Sequence, residues 1–156
     1  MTQSEGMMSM SKIRRVIDSD LESIKTVYEK AFDRSDGILN CYYKGFSDYV
    51  NFCVKQNYAY VAVDEETVCG ILLAYEKPDM SLGKVVYVEL LAILPEYQQK
   101  GFGTELLNKV KEDAQNNGIG ELALRTGCYM DSYQIYKNYG FRDTRDDHRY
   151  MVLNIK

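Results

Sequence analysis

Residues 85–104 read VVYVELLAILPEYQQKGFGT, and this stretch decides the fold of the chain. Its first ten residues are almost wholly apolar, which is typical of a strand buried on both faces of a sheet. Pro95 ends the strand, and apolar residues at helical spacing resume after Gly103. The centre of the predicted fold is therefore a buried strand that leads through a glycine-containing loop into a helix.

The loop between this strand and helix has the chemistry of an anion site. Gly101 and Gly103 let the backbone approach a ligand closely, and the N–H groups at the start of the helix point toward negative charge. Lys100 adds a positive charge beside them. A diphosphate is the natural ligand, although the same glycines would equally serve a tight strand-to-helix connection. The spacing matches neither G-x-x-x-x-G-K-[ST] nor G-x-G-x-x-G.

Strands and helices alternate along the rest of the chain. Residues 18–20, Asp-Ser-Asp, are predicted to cap the first helix, and residues 64–66, Asp-Glu-Glu, are predicted to join two strands as a hairpin. The predicted strands are 13–17, 58–63, 67–75, 85–94, 121–125 and 148–155, and the predicted helices are 21–32, 42–53, 103–116 and 132–139. This alternation predicts an α/β fold with a mixed sheet.

Composition limits the class of protein. A length of 156 residues fits one domain, so we expect a flexible tail over residues 1–11 and a single domain over 12–156. A net charge of −4 argues against nucleic acid as a partner, and no apolar run is long enough to span a membrane. The four cysteines form no C-x-x-C pair, His148 is the only histidine, and the first residues lack the basic and apolar regions typical of a signal peptide. We therefore expect a cytoplasmic protein without a metal.

Two motifs give the chain a family resemblance. Gln98-x-x-Gly101-x-Gly103, preceded by the strand end at residues 91–97, resembles the acetyl-CoA signature of the GNAT superfamily of N-acetyltransferases. Residues 136–141, Tyr-Lys-Asn-Tyr-Gly-Phe, are similar to the Y-x-x-x-G-F ending of that superfamily, and the order of elements matches from Ile13 to Ile155. The resemblance implies a mixed, mostly antiparallel central sheet with a splayed strand pair and helices on both faces, and acetyl-CoA as cosubstrate.

The resemblance also implies which residues would hold acetyl-CoA. Backbone groups of the strand before the loop would pair with the pantetheine arm, and the N–H of Ile93 would meet the oxyanion. Backbone amides of the loop and the helix start would hold the pyrophosphate. The implied residues are Leu91, Ala92 and Ile93 for the pantetheine arm, and Gln99, Lys100, Gly101, Phe102, Gly103 and Thr104 for the pyrophosphate.

Two residues are candidates for acid–base chemistry. Tyr136 would protonate the leaving thiolate. A free thiol titrates near ~8.5 and a tyrosine near ~10, so Tyr136 can donate to the thiolate without itself being ionised beforehand. The alternative is that Tyr136 is an aromatic residue of the core. Glu89 is the one ionisable residue in 85–94, and strand alternation places it on the face of Tyr87. The resemblance implies that Glu89 acts as the base. Its alternatives are a carboxylate paired with Arg or Lys, or one exposed where the sheet splays.

The remaining positions are less informative. Where the family often has an Asn, this chain has Tyr129, so Asp131 or Ser132 would substitute for it. Cys128 is expected to be a buried thiol. His148 is expected to lie in a solvated turn. Four side chains fall where the resemblance implies an acceptor pocket, although most of them are also expected in the core: Tyr42, Tyr43, Asp48 and Tyr49.

These features predict an acetyl-CoA-dependent N-acetyltransferase that acts on a primary amine by direct transfer. The acceptor is a small molecule or a peptide, and the negative net charge mildly favours a cationic small amine. The alternative is a non-catalytic acyl-CoA-binding or regulatory module on the same fold. An open sheet edge is also compatible with a homodimer.

Overall fold

The computed structural model describes residues 11–32, 45–126 and 131–143. The chain divides after Arg125 into two compact units. The elements of the first unit are the strands β1 (Ser11–Arg15), β2 (Ala59–Asp64), β3 (Thr67–Asp79), β4 (Gly83–Ile93) and β5 (Leu122–Leu124), and the helices α1 (Leu21–Ala31), α2 (Phe46–Lys55) and α3 (Phe102–Asn116). The second unit contains α4 (Asp131–Tyr139).

The five strands form one sheet in the order β1-β2-β3-β4-β5. The first four pair antiparallel, and β5 joins β4 in parallel. Residues 64–67 close the predicted hairpin between β2 and β3, with Asp64 opposite Thr67 and Glu65 at a left-handed φ of 58°. The mixed, mostly antiparallel sheet that the resemblance implied is confirmed.

Helices pack on both faces of the sheet. A Cβ on Gly70 of β3 would lie 2.6 Å from Ile93 Cδ1 and 3.3 Å from Leu106 Cδ1 of α3, so one face carries α3. Tyr75, an odd number of residues further along β3, contacts Phe52 of α2 at a ring distance of 5.3 Å. Since alternate residues of a strand point to opposite faces, α2 lies on the other face. Tyr28 of α1 stacks on Phe46 of α2 at 4.9 Å.

A buried carboxylate fixes α3 to the first two strands. Asp113 is 7% exposed and accepts hydrogen bonds from Tyr60 Oη at 2.6 Å and from Arg15 at 2.9 Å. Burial and the bond to Asp113 both raise the pKa of Tyr60, so its hydroxyl remains a donor. Because a buried acid without partners would cost several kcal/mol, this network secures the helix whose N-terminus follows the glycine loop.

Four expectations differ from the structure or lie outside it. The strand predicted over 13–17 ends at Arg15, because a 3-10 turn follows at Asp18–Asp20. No side-chain bond caps α1; the Asp20 carboxylate instead accepts the N–H of Ile17 at 2.8 Å. The predicted strand 148–155 and residues 42–44 of the predicted second helix lie outside the described residues.

Candidate active site

A β-bulge in β4 sets the geometry of the candidate site. The ladder pairs Leu73 with Leu90 and Ala74 with Val88, so Glu89 is an extra residue with no partner on β3. A bulge bends its strand and increases the local twist. The prediction that β4 is buried on both faces is therefore wrong in its middle, where Glu89 is exposed and Leu90 is half-buried.

The bulge coincides with the end of the pairing between β4 and β5. β5 pairs with Val86, Tyr87 and Val88 only, so within the described part of the chain residues 89–93 have no strand on that side. This is the splayed strand pair that the resemblance implied. It leaves one backbone edge of β4 open next to the loop that leads to α3.

Alternation in the ladder determines which backbone groups reach the open edge. The N–H of Leu94 donates to Cys69 O at 2.8 Å, toward β3. In an antiparallel ladder neighbouring residues point their backbone groups to opposite sides, so Ala92 also faces β3, whereas Leu91 and Ile93 face away. Gln98 Nε2 donates to Ile93 O at 3.1 Å and holds the loop against this strand end. The geometry thus favours Leu91 and Ile93 over Ala92 as partners for a bound chain.

The loop after β4 opens in front of the start of α3. Gly101 precedes the helix at a φ of 91°, and Gln99 also has a left-handed φ of 62°. The first helical bond runs from Glu105 N–H to Gly101 O at 3.0 Å, so the N–H groups of residues 102–104 have no partner within the helix. A Cβ on Gly101 or on Gly103 would meet no atom within 4 Å. These residues therefore fit a diphosphate that approaches the backbone.

The lysine of the loop lies beside the helix start. Lys100 is exposed, and its Nζ lies 5.6 Å from the centre of the Tyr97 ring. The Tyr97 ring in turn contacts Phe102, the first residue of α3, at 6.1 Å. The positive charge expected from the sequence is thus accessible to a ligand phosphate.

Glu89 is held by a tyrosine of α2. Tyr49 Oη donates to Glu89 Oε1 at 2.9 Å. Burial first, and then the Tyr75 hydroxyl and the Glu89 charge, raise the pKa of Tyr49, so it stays protonated and remains a donor. None of the ion pairs within the described ranges includes Glu89. Glu89 is exposed where the sheet splays, and its role as the base stays a prediction.

Aromatic rings on this face contact Tyr49, the hydrogen-bond partner of Glu89. Tyr75 lies 6.0 Å from Tyr49, 5.3 Å from Phe52 and 5.7 Å from Tyr87, measured between ring centres. The sequence analysis named Tyr49 as a candidate for the acceptor pocket and placed Glu89 on the same strand face as Tyr87. Phe52 and Tyr75 were not, although Phe52 follows Tyr49 at a helical spacing of three and Tyr75 lies opposite Tyr87 in the ladder.

The second unit carries Tyr136. The N–H groups of Gly140 and Phe141 both donate to Tyr136 O, at 3.2 and 3.0 Å, and close α4. The Tyr136 ring contacts Phe141 at 5.7 Å. Burial raises the pKa of Tyr136 to about 12, so its hydroxyl is a proton donor at neutral pH.

Other positions of the second unit add little to the site. The hydroxyl groups of Ser132 and Thr126 lie 3.0 Å apart. Further positions named from the sequence lie outside the described residues: Tyr42, Tyr43, Cys128, Tyr129 and His148. The roles of Tyr136 and of these positions stay predictions.

Comparison with known proteins identifies the family. The model of the acetyltransferase (GNAT) family matches residues 21–141, which is more than half of the chain. The chain therefore belongs to this family, and it is an acetyl-CoA-dependent enzyme that transfers an acetyl group to an amine. The predicted resemblance, fold class and enzyme class are confirmed. No match is found among curated proteins.

Solved structures share the fold at low sequence identity. Naa50 of Arabidopsis thaliana, in complex with the bisubstrate analogue CoA-Ac-MVNAL, is 22% identical over 86% of this chain and 85% of its own, with a TM-score of 0.66. The aminoglycoside acetyltransferase meta-AAC0020 from an uncultured soil metagenomic sample, in complex with sisomicin, is 19% identical over 94% and 98%, with a TM-score of 0.74. A transcriptional regulator from Bacillus halodurans C-125 is 21% identical over 93% and 99%, with a TM-score of 0.68.

The described residues contain neither a metal-binding cluster nor a membrane-spanning helix. No group of three or more His, Cys, Asp and Glu side chains in these ranges is placed to hold a metal ion, and the expectation of a metal-free enzyme stays a prediction. None of the helices described above has the length and hydrophobicity needed to cross a membrane.

Proposed function

We propose that the enzyme transfers an acetyl group from acetyl-CoA directly to a primary amine while both substrates are bound. The observation that carries this proposal is the bulge at Glu89, which opens the β4 edge beside the glycine loop and presents a carboxylate at the opening. Backbone groups of Leu91 and Ile93 would bind the pantetheine arm, and the N–H groups of residues 102–104 would bind the diphosphate.

The reaction is a displacement at the thioester carbonyl. The amine nitrogen attacks the carbonyl carbon, the C–N bond forms and the C–S bond breaks, and no group is oxidised or reduced. The proton of the amine goes to the Glu89 carboxylate, directly or through a water molecule, and the departing thiolate takes a proton from Tyr136. Solvent then carries a proton from Glu89 back to the Tyr136 phenolate. The N–H of Ile93 would meet the oxyanion. The products are an N-acetylated amine and free CoA.

The proposed roles differ in what supports them. Glu89 is supported by its exposure and by the bond from Tyr49, which holds one carboxylate oxygen in place. Tyr136 is supported by its motif. The role of the Ile93 N–H at the oxyanion is supported by the family resemblance and by the orientation of this group toward the open edge.

The proposal extends to the cellular setting of the enzyme. We place it in the cytoplasm, where reduced cysteines are the rule, and Cys53 and Cys69 are free thiols in the structure. A homodimer, a flexible tail over residues 1–11 and a single domain over 12–156 stay predictions.

The first experiment follows CoA release with a thiol reagent, with and without an amine acceptor. Direct transfer predicts that CoA release requires the amine. It also predicts that the Glu89→Gln variant releases CoA about 10²-fold more slowly than the native enzyme. Stoichiometric CoA release without an amine would instead indicate an acetyl-enzyme. Failure to release CoA with any amine, in folded protein that is stabilised by acetyl-CoA, would favour a non-catalytic module like the alternative weighed from the sequence.

A further inference from the structure

The face of the sheet next to Glu89 carries four aromatic side chains in mutual contact. We call these residues, Tyr49, Phe52, Tyr75 and Tyr87, the aromatic floor. Phe52 contacts Tyr49 at a ring distance of 6.2 Å and Tyr75 at 5.3 Å, with interplanar angles of 70° and 68°. Such edge-to-face geometry is the one that aromatic rings prefer, and an added ring finds the same favourable contacts.

The aromatic floor is open to solvent. Phe52 is 44% exposed, and Tyr49, Tyr75 and Tyr87 are half-buried. Apolar ring surface in water is unfavourable by about 25 cal/mol for each Å², so a ligand that covers the rings gains free energy. Because Tyr49 bonds to Glu89, a ligand on the floor also lies beside the proposed base.

The charges around the floor suit one positive charge rather than several. Glu89 contacts the floor through the hydrogen bond from Tyr49. Lys77 places its Nζ 5.0 Å from the centre of the Tyr87 ring, and this ammonium group repels additional cations nearby. A polycation needs several carboxylates to replace the water around its charges, whereas a single ammonium needs one.

We propose that the aromatic floor selects the acceptor, and that the acceptor is an arylalkylamine, that is, one primary amine joined by a short alkyl chain to an aromatic ring. The ring packs on Phe52 and Tyr75, and the amine lies at Glu89. This inference rests on the proposed function, because it names the substrate class of that same site. The proposed acceptor differs from sisomicin, the aminoglycoside bound in one of the structural neighbours.

The test compares three acceptors at saturating acetyl-CoA: 2-phenylethylamine, n-butylamine and spermidine. The ring should raise kcat/KM for 2-phenylethylamine at least tenfold above that for n-butylamine, a factor that corresponds to ~1.4 kcal/mol. Spermidine should be poorer than 2-phenylethylamine. In the Phe52→Ala variant, the KM for 2-phenylethylamine should rise about tenfold, while the KM values for n-butylamine and acetyl-CoA stay the same.

Matched variants separate selection from general damage. Leu82→Ala removes an apolar side chain of similar exposure, 46%, in the turn between β3 and β4, and should leave all three acceptors unchanged. Lys77→Gln removes the positive charge and should raise kcat/KM for spermidine relative to that for 2-phenylethylamine. Since Phe52 is largely exposed, its variant should keep the Tm of the native protein, and a Tm scan checks this.

Three results would overturn the inference. Spermidine used as well as 2-phenylethylamine would contradict it, and so would a Phe52→Ala variant in which all three acceptors lose activity equally. Absence of 2-phenylethylamine turnover, with acetyl-CoA still raising the Tm, would overturn the arylalkylamine and leave the proposed function standing for other amines. If acetyl-CoA does not raise the Tm, the proposed function fails as well.

Discussion

Tyr49 Oη on α2 donates a 2.9 Å hydrogen bond to Glu89 Oε1 at the bulge of β4. This bond joins a helix on one face of the sheet to the one residue that the ladder between β3 and β4 leaves out. A carboxylate on an exposed bulge would otherwise be free to rotate among several conformers, and fixing its orientation costs side-chain entropy. Tyr49 supplies that orientation before the substrate arrives.

Removing the Tyr49 hydroxyl should therefore slow the chemical step. In Tyr49→Phe the ring packing stays, but the bond to a charged partner, worth ~1 kcal/mol after allowance for its exposure, is lost. We expect kcat to fall about fivefold, with the KM for acetyl-CoA unchanged, in steady-state assays. Tyr133→Phe is the matched control, because it removes a 2.6 Å bond from a tyrosine to the exposed Asp143. An unchanged kcat in Tyr49→Phe would show that Glu89 does not need this partner.

A methyl group at position 103, in place of the Gly103 hydrogen, should weaken the binding of acetyl-CoA without destabilising the fold. The added Cβ meets no atom within 4 Å, and alanine is favoured over glycine in a helix by up to ~1 kcal/mol. The methyl group would, however, stand between the helix start and a diphosphate. We expect an unchanged or higher Tm for the unliganded Gly103→Ala variant, and a Kd for acetyl-CoA about tenfold higher by calorimetry.

Gly120→Ala provides the comparison for this variant, since its Cβ also meets open space but lies after α3. It should bind acetyl-CoA as the native protein does. If Gly103→Ala binds acetyl-CoA as tightly as Gly120→Ala, the diphosphate does not approach the backbone at this loop.

The hydroxyl of Tyr136 should matter to turnover but not to acetyl-CoA affinity. Tyr136→Phe keeps the ring contact with Phe141 and removes the proposed proton donor, so kcat should fall by about 10²-fold. Burial raises the pKa of Tyr136 to about 12. The native enzyme should therefore show no loss of kcat from Tyr136 ionisation as the pH passes 10.0, the ordinary value for tyrosine. Turnover near the native rate in Tyr136→Phe would exclude Tyr136 as the acid.

Acid should destabilise the first unit through Asp20. Burial raises the pKa of this carboxyl, but bonds from Arg14 and from the Ile17 N–H together lower it below its ordinary value of 3.8. A lowered pKa means that the stabilising contribution is present above the unfolded value and is lost as the pH falls through the folded one. Asp20→Asn should thus reduce the free energy of unfolding by ~1–3 kcal/mol at neutral pH, and by less at about pH 3.

Urea unfolding at the two pH values measures this difference. Asp18→Asn changes an exposed carboxylate of the same 3-10 turn and should have little effect at either pH. An Asp20→Asn deficit that is the same at both pH values would mean that packing, not the charge of Asp20, stabilises the turn.

The sequence by itself determined the elements and their chemistry. Apolar runs and helical spacing located β2, β3, β4 and α3 to within a few residues, because periodicity and the stop at Pro95 are local properties. The loop was recognisable for the same reason: Gly101 and Gly103 permit a close backbone approach whatever surrounds them. The left-handed φ of Gln99 carried no such signal, since glutamine rarely adopts it.

Only the tertiary structure decided how these elements form a site. A nearly continuous apolar run does not reveal a bulge, since the extra residue appears only when β4 is paired with β3. That pairing exposes Glu89 and turns Ala92 away from the open edge. The contacts of Glu89 with Tyr49, 40 residues earlier, and of Phe52 with Tyr75 likewise depend on packing between a helix and a sheet. Strand and helix periods are set by neighbouring residues, whereas register and side-chain contacts between elements are set by the whole fold.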